Sequence, residues 1–239
     1  MDSTNHLALE LAAEGAAHGT VVLADSQSAG RGRHGRQWAS PPGLNIYMSV
    51  ILRPEEASGL SSFPGIVPLM AGLCAVSAIR ESTGLTPSLK WPNDILAGEK
   101  KLGGVLLEAR SRGGRMRYAV LGIGINVNSG IDDFPPELRD TATSLSLETG
   151  SHTDMEAMTR ALVHHLSDTI GLMDSKAGID SILGMYRAAC STLGRQVKAL
   201  MEGEDAVGLA QDIDPSGRLL LSTGGKLMPL SSADIIHLR

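Results

Sequence analysis

Residues 94–109 read DILAGEKKLGGVLLEA, and their pattern sets the architecture. Two apolar runs, Asp94–Ala97 and Leu102–Ala109, flank the polar turn Gly98-Glu99-Lys100, which predicts a β-hairpin. A second turn at Ser111–Arg115 follows, where Gly113-Gly114 can take positive φ, and a return strand runs from Tyr118 to Val127 with Gly122 and Gly124 one residue apart. Upstream, Ile66–Ser82 is an apolar helix closed by Gly84, and Asn45–Leu52 alternates like a strand. Ser3 and Thr4 cap a predicted helix from about Asn5 to Gly19, followed by a β-branched strand over Thr20–Asp25. Downstream, Thr153 and Glu156 form a capping-box pattern before a helix on which Met158, Leu162, Leu166 and Ile170 recur every four residues. After Ala189, four short strands, Gln196–Met201, Ala206–Ile213, Arg218–Ser222 and Lys226–Leu230, alternate with Gly and Asp turns. That spacing predicts a small β-barrel. The expected class is therefore α/β in the α+β sense, with a larger domain over 1–189 and a smaller one over 190–239.

Composition excludes several functions. The 239 residues are 42% hydrophobic and 20% charged, which rules out fibrous and disordered chains. No run approaches the ~20 uninterrupted apolar residues of a membrane span, and Met1 to Glu14 has no leader pattern, so a cytoplasmic protein without membrane partners is expected. Cys74 and Cys190 sit among apolar neighbours and read as core thiols. The net charge of -5, negative in both parts, argues against coating nucleic acid by bulk positive charge. Three arginines nevertheless fall within six residues, at Arg31, Arg33 and Arg36.

Those arginines lie in a long predicted loop, Ser28–Gly43, rich in glycine and holding two prolines. Gly30-Arg31-Gly32-Arg33-His34-Gly35 has the letters of a dinucleotide fingerprint, but Gln37 to Gly43 will not form the helix that motif needs. Guanidinium groups on a flexible loop suit a polyphosphate, because arginine donates forked, always-charged hydrogen bonds. Lys90-Trp91-Pro92-Asn93-Asp94 adds hard oxygens suited to a nucleotide-borne Mg2+, although alone it reads as an ordinary turn. Lys101 stands beside Gly103 and Gly104, and Gly122-Ile123-Gly124-Ile125-Asn126 repeats a glycine-faced strand. No P-loop, no nucleophile elbow and no activated cysteine pattern is present, and the pair His164-His165 carries no assigned role.

Taken in order, Ser3-Thr4-Asn5, Gln27 with Ala29 to Trp38, Lys90 to Asp94, Lys101-Leu102-Gly103-Gly104 and Gly122 to Asn126 resemble the biotin-protein ligase family over essentially the whole chain. The resemblance implies a mixed sheet like that of class II aminoacyl-tRNA synthetases and an SH3-like barrel. It implies ATP, biotin and Mg2+ as substrates and cofactor, and a biotin carboxyl carrier domain as partner, with a monomer or homodimer as the working form. It assigns Ser3, Thr4, Asn5, Gln27, Gly30, Arg31, Gly32, Arg33, Lys101, Gly104, Leu106, Gly122 and Gly124 to biotin. Arg33, Arg36, Trp38, Asn93, Lys101 and Asn126 fall to ATP, and Asn93 to the metal. Lys101, Arg31, Arg33 and Asp94 are the catalytic candidates. Only Met1 and Asp2 precede Ser3, where the family usually has a further strand, and without a winged-helix segment a ligase free of repressor function is expected. The rivals are a lipoate-protein ligase, with the same fold and adenylate chemistry, and a nucleic-acid-binding module built on the arginine loop.

Overall fold

The hairpin pattern forms the centre of a six-stranded sheet. The computed structural model describes residues 1–54, 58–113, 115–201 and 203–238. Strands β1 (Val21–Ala24), β2 (Asn45–Leu52), β3 (Ser88–Lys90), β4 (Asp94–Ala97), β5 (Lys100–Arg112) and β6 (Arg115–Asn126) lie in the order β1-β2-β6-β5-β4-β3. The expected mixed sheet is instead antiparallel in every ladder, because hairpins and short returns join the strands from β3 to β6. Parallel pairing is confined to the isolated bridges Leu89 with Cys190 and Lys101 with Ala142. Gly113 takes φ 61° at the β5–β6 turn, while Gly114 lies outside the described residues.

Helices cover both faces. On the front, α1 (Thr4–Ala13) packs Ala8, Leu9 and Ala12 against Val22, Ile51 and Val120. This helix ends well before the expected Gly19, since Gly15 turns the chain at φ 102°. After the short α2 (Ser58–Ser62), α3 (Ile66–Thr83) crosses the back face. By length and composition α3 could cross a membrane, but it buries eleven of its residues in the core. A second short helix, α4 (Leu145–Thr149), precedes α5 (Met155–Ile170) and α6 (Lys176–Ala189), both of which pack on α3. The α5 cap is Asp154 rather than Thr153: its carboxylate accepts from the Glu156 and Ala157 amides.

The remaining strands, β7 (Gln196–Leu200), β8 (Ala206–Ile213), β9 (Leu219–Thr223), β10 (Lys226–Leu230) and β11 (Asp234–His237), form a second antiparallel sheet in the order β10-β9-β8-β7-β11. No ladder joins β10 to β11 among the described residues, so the expected closed barrel is an open sheet here. Its inner face continues the core that α3, α5, α6 and the first sheet share. Trp91, 1% exposed, fixes the junction by donating Nε1–H to Gly217 O at 3.0 Å.

Candidate active site

A cleft of about 320 Å3 opens on the front of the first sheet. Register explains its floor. Ser49, Gly122 and Leu106 form one cross-strand row over β2, β6 and β5, and Tyr47, Gly124, Gly104 and Asp94 form the next, ending on β4. The three glycines remove the side chains that would otherwise stand on this face. Other groups take that space: a Cβ at Gly122 would stand 2.2 Å from Asn5 Oδ1, and one at Gly124 would stand 2.7 Å from the Trp38 indole.

One end is polar, and its one ion pair leaves it without net charge. The start of α1 places Thr4 and Asn5 over the sheet, where Ser49, fully buried on β2, donates to Asn5 Oδ1 at 2.6 Å and has Thr4 Oγ1 2.8 Å away. Gln27 Oε1 accepts from the Thr4 amide at 2.9 Å, and Gln27 Nε2 donates to Ser40 Oγ. Asn5 Nδ2 donates to Glu108 Oε2 at 2.9 Å, and the other oxygen of that carboxylate pairs with Arg31 at 3.1 Å. Each of these buried polar groups is partnered, which fixes side-chain orientation. Ser49 and Glu108 escape sequence reasoning, although each interrupts an apolar run of its strand.

The other end is cationic. The loop reverses at His34, held in the left-handed region at φ 53°, with the Arg36 amide bonded to Arg33 O and the Gly32 amide to Arg36 O. Arg33 thereby donates to Asn93 Oδ1 at 2.8 Å and to Ser232 Oγ at 2.6 Å, while Arg36 pairs with Asp234. Residues 232–234 belong to the second sheet's approach to β11, so both sheets build this end. Lys101 Nζ lies 2.6 Å from Asp94 Oδ1 and 5.5 Å from the centre of a Trp38 ring. Asn93 is pinned by its own donation to Val105 O. Burial pushes the Lys90 ammonium pKa down, and burial raises the Tyr47 phenol to about 12, keeping it a neutral donor to Pro41 O.

Ser3, Thr4, Asn5, Gln27, Arg31, Gly32, Arg33, Arg36, Trp38, Asn93, Asp94, Lys101, Gly104, Leu106, Gly122 and Gly124 all line this one cleft. Two candidates do not. Gly30 lies behind it, its carbonyl accepting the Trp38 amide and its Cα facing Trp38 O too closely for any side chain. Asn126 lines an adjoining pocket of about 80 Å3, with its amide on Thr143 O; Trp38 and Lys101 line both spaces and form the wall between them. The Trp38 indole N–H is buried there without a partner. Such an arrangement suits an elongated ligand with a polar neutral head and an apolar body, whose anionic tail meets a polyanion between Lys101 and the arginines.

Comparison with known proteins agrees. The profile described as "Biotin/lipoate A/B protein ligase family" matches residues 1–126, and that described as "Biotin protein ligase C terminal domain" matches residues 192–238. The "Bifunctional ligase/repressor BirA" of Bacillus subtilis is 38% identical over 98% of this chain and 71% of its own. The "Biotin--[acetyl-CoA-carboxylase] ligase" of Mycobacterium tuberculosis is 37% identical over 99% of this chain and 86% of its own. The solved structure "Biotin protein ligase from Aquifex aeolicus in complex with biotin and ATP" superimposes with a TM-score of 0.84 at 32% identity, covering 100% of this chain and 95% of that one.

Proposed function

Because the chain belongs to the biotin/lipoate A/B protein ligase family, we propose that it activates biotin with ATP as biotinyl-5'-adenylate in the cytoplasm and passes the biotinyl group to one lysine of a carrier domain of a biotin-dependent carboxylase. The observation that carries this reading is the glycine-floored cleft joining the Thr4–Asn5–Ser49–Gln27 cluster to the Arg33–Arg36–Lys101 end. In this reading residues 1–189 are the catalytic domain, and residues 190–239 complete its cationic end.

The amide and hydroxyl groups of Ser3, Thr4, Asn5 and Gln27 hold the ureido head, which offers both donors and an acceptor. The cleft beside Gly104, Gly122 and Gly124, where Leu106 supplies apolar contact and the missing side chains let Asn5 and Trp38 sit close to the sheet, takes the thiophane ring and valeryl chain. The carboxylate then meets the α-phosphate beside Lys101. Its oxygen bonds to that phosphorus, the bond to the β-phosphate breaks, and pyrophosphate leaves with the electron pair. Lys101 offsets charge on the α-phosphoryl oxygens, and Arg33 and Arg36 hold the phosphates. Trp38 covers the adenylate and Asn126 receives adenine in the smaller pocket. In the second step the acceptor lysine's amine attacks the acyl carbon, AMP departs, and Asp94 orients the amine or takes its proton. Arg31, anchored to Glu108, and the backbone of Gly32 close the loop over the intermediate, excluding water, while Gly30 holds the Trp38 amide from behind.

A nucleotide-borne Mg2+ needs only one or two protein oxygens, and Asn93 Oδ1 and the Asp94 carboxylate would supply them once Arg33 and Lys101, which hold these oxygens here, turn to the phosphates. When bound, the ion supplies charge neutralisation on the phosphates.

The test incubates the protein with ATP, Mg2+, biotin and a carrier domain; intact-mass spectrometry is expected to find one biotin on one lysine. Excess lipoate should leave the yield unchanged, and lipoylation in place of biotinylation would favour the lipoate reading. Lys101→Ala should lower biotin-dependent exchange of pyrophosphate into ATP by about 100-fold or more.

A further inference from the structure

Lys90 ends β3 directly across from Asp94, and its half-buried side chain lines the cleft. The other cations of the cleft are engaged. Arg31 pairs with Glu108, Arg33 bonds Asn93 and Ser232, Arg36 pairs with Asp234, and Lys101 holds Asp94. Among the described residues Lys90 has neither a carboxylate within ion-pair distance nor a hydrogen-bond acceptor. A cation drawn partly out of water without a partner is costly, and an arriving anion would relieve that cost. Desolvation is the largest influence on its ammonium, consistent with that position.

On the reading of the site as an adenylate-forming ligase, the anion that must be stabilised at this end is the leaving group. Lys101 serves the α-phosphate, and Arg33 and Arg36 must release Asn93, Ser232 and Asp234 to reach the others, whereas Lys90 has no protein partner among the described residues to give up. We propose that Lys90 is a further catalytic residue that binds the β- and γ-phosphates of ATP and stabilises the departing pyrophosphate. It acts by donating hydrogen bonds: the electron pair of the broken bond stays on pyrophosphate, and Lys90 keeps its proton.

The test uses the full chain and inorganic pyrophosphate as probe, with calorimetry on wild type, Lys90→Ala and Lys90→Arg, and thermal melts to confirm folding. Loss of one charge-assisted contact should weaken pyrophosphate binding of Lys90→Ala by about tenfold or more, with most of it restored by arginine. In the exchange assay KM for ATP and for pyrophosphate should rise together while KM for biotin moves less than about twofold. Unchanged pyrophosphate binding, a parallel rise in KM for biotin, or a defect confined to transfer onto the carrier domain would overturn the assignment. Direct binding of pyrophosphate requires no biotin, so failure of the wild type to catalyse biotin-dependent exchange would count against the ligase reading, independently of Lys90.

Discussion

A methyl group on Gly122 would stand 2.2 Å from Asn5 Oδ1, the atom through which Ser49 locks the head of α1 to the sheet. Gly122→Ala must therefore push Asn5 away and break the link between Ser49 and Glu108. Overpacking of this kind costs about 1–3 kcal/mol, so biotin affinity should fall by about tenfold or more while ATP binding is retained. Titration calorimetry with each ligand checks this; equal losses for both would point to general unfolding. At this scale the sequence was informative where chemistry repeats: the paired glycines of β5 and β6 and the arginine loop stand out as letters. Ser49 and Glu108 do not, because a single polar residue in a strand acquires meaning only when register sets it opposite a glycine or beside α1. Asn126 reads as a polar strand end and does end β6, yet it lines the neighbouring pocket, which shares Trp38 and Lys101 with the cleft.

Element boundaries were legible where a local rule acts alone. The strands Asn45–Leu52, Asp94–Ala97, Ala206–Ile213 and Lys226–Leu230 have their expected limits, and α3 stops at Gly84, in the left-handed region at φ 75°. Open space surrounds that position, so Gly84→Ala tests backbone conformation by itself. The substitution should cost about 1 kcal/mol and lower the unfolding midpoint by about 2–4 °C, as measured by circular dichroism. Asparagine, which tolerates this conformation better, should recover part of the loss. Where two rules compete the sequence misleads: Thr153 and Glu156 match a capping box, but Asp154 is a stronger acceptor one residue nearer. The helix α6 is poorly marked in the sequence although Ile179, Ile182, Leu183 and Tyr186 recur at helical spacing, because Gly178 and Gly184 lower the local helix propensity. The barrel expectation failed differently, since short strands at regular spacing specify hairpins but not whether the first and last strands meet.

At the scale of the molecule, contacts across nearly the whole chain decide the site, and these no local pattern can reveal. Arg36 and Asp234 are 198 residues apart, and Trp91 reaches Gly217 over 126. Turn 214–217 is shaped for that junction: Asp214 accepts from the Ser216 and Arg218 amides, and Gly217, at φ 81°, abuts Gly65 at the head of α3 with no room for a side chain. The apolar core is likewise continuous from α3, α5 and α6 into β7, β8 and β9. Two sheets joined by one core should unfold together, whatever boundary near residue 190 their sequences suggest. The two tryptophans allow a direct measurement, because Trp38 reports the loop and Trp91 the junction. In Trp38→Phe the fluorescence of Trp91 and the far-ultraviolet circular dichroism should follow one denaturant transition with the same midpoint. Separation of the two curves would mean that the second sheet can detach while the first stays folded. The cationic end, which depends on Ser232 and Asp234 to position Arg33 and Arg36, would then be assembled only part of the time, and activity should fall with the fluorescence transition rather than with global unfolding.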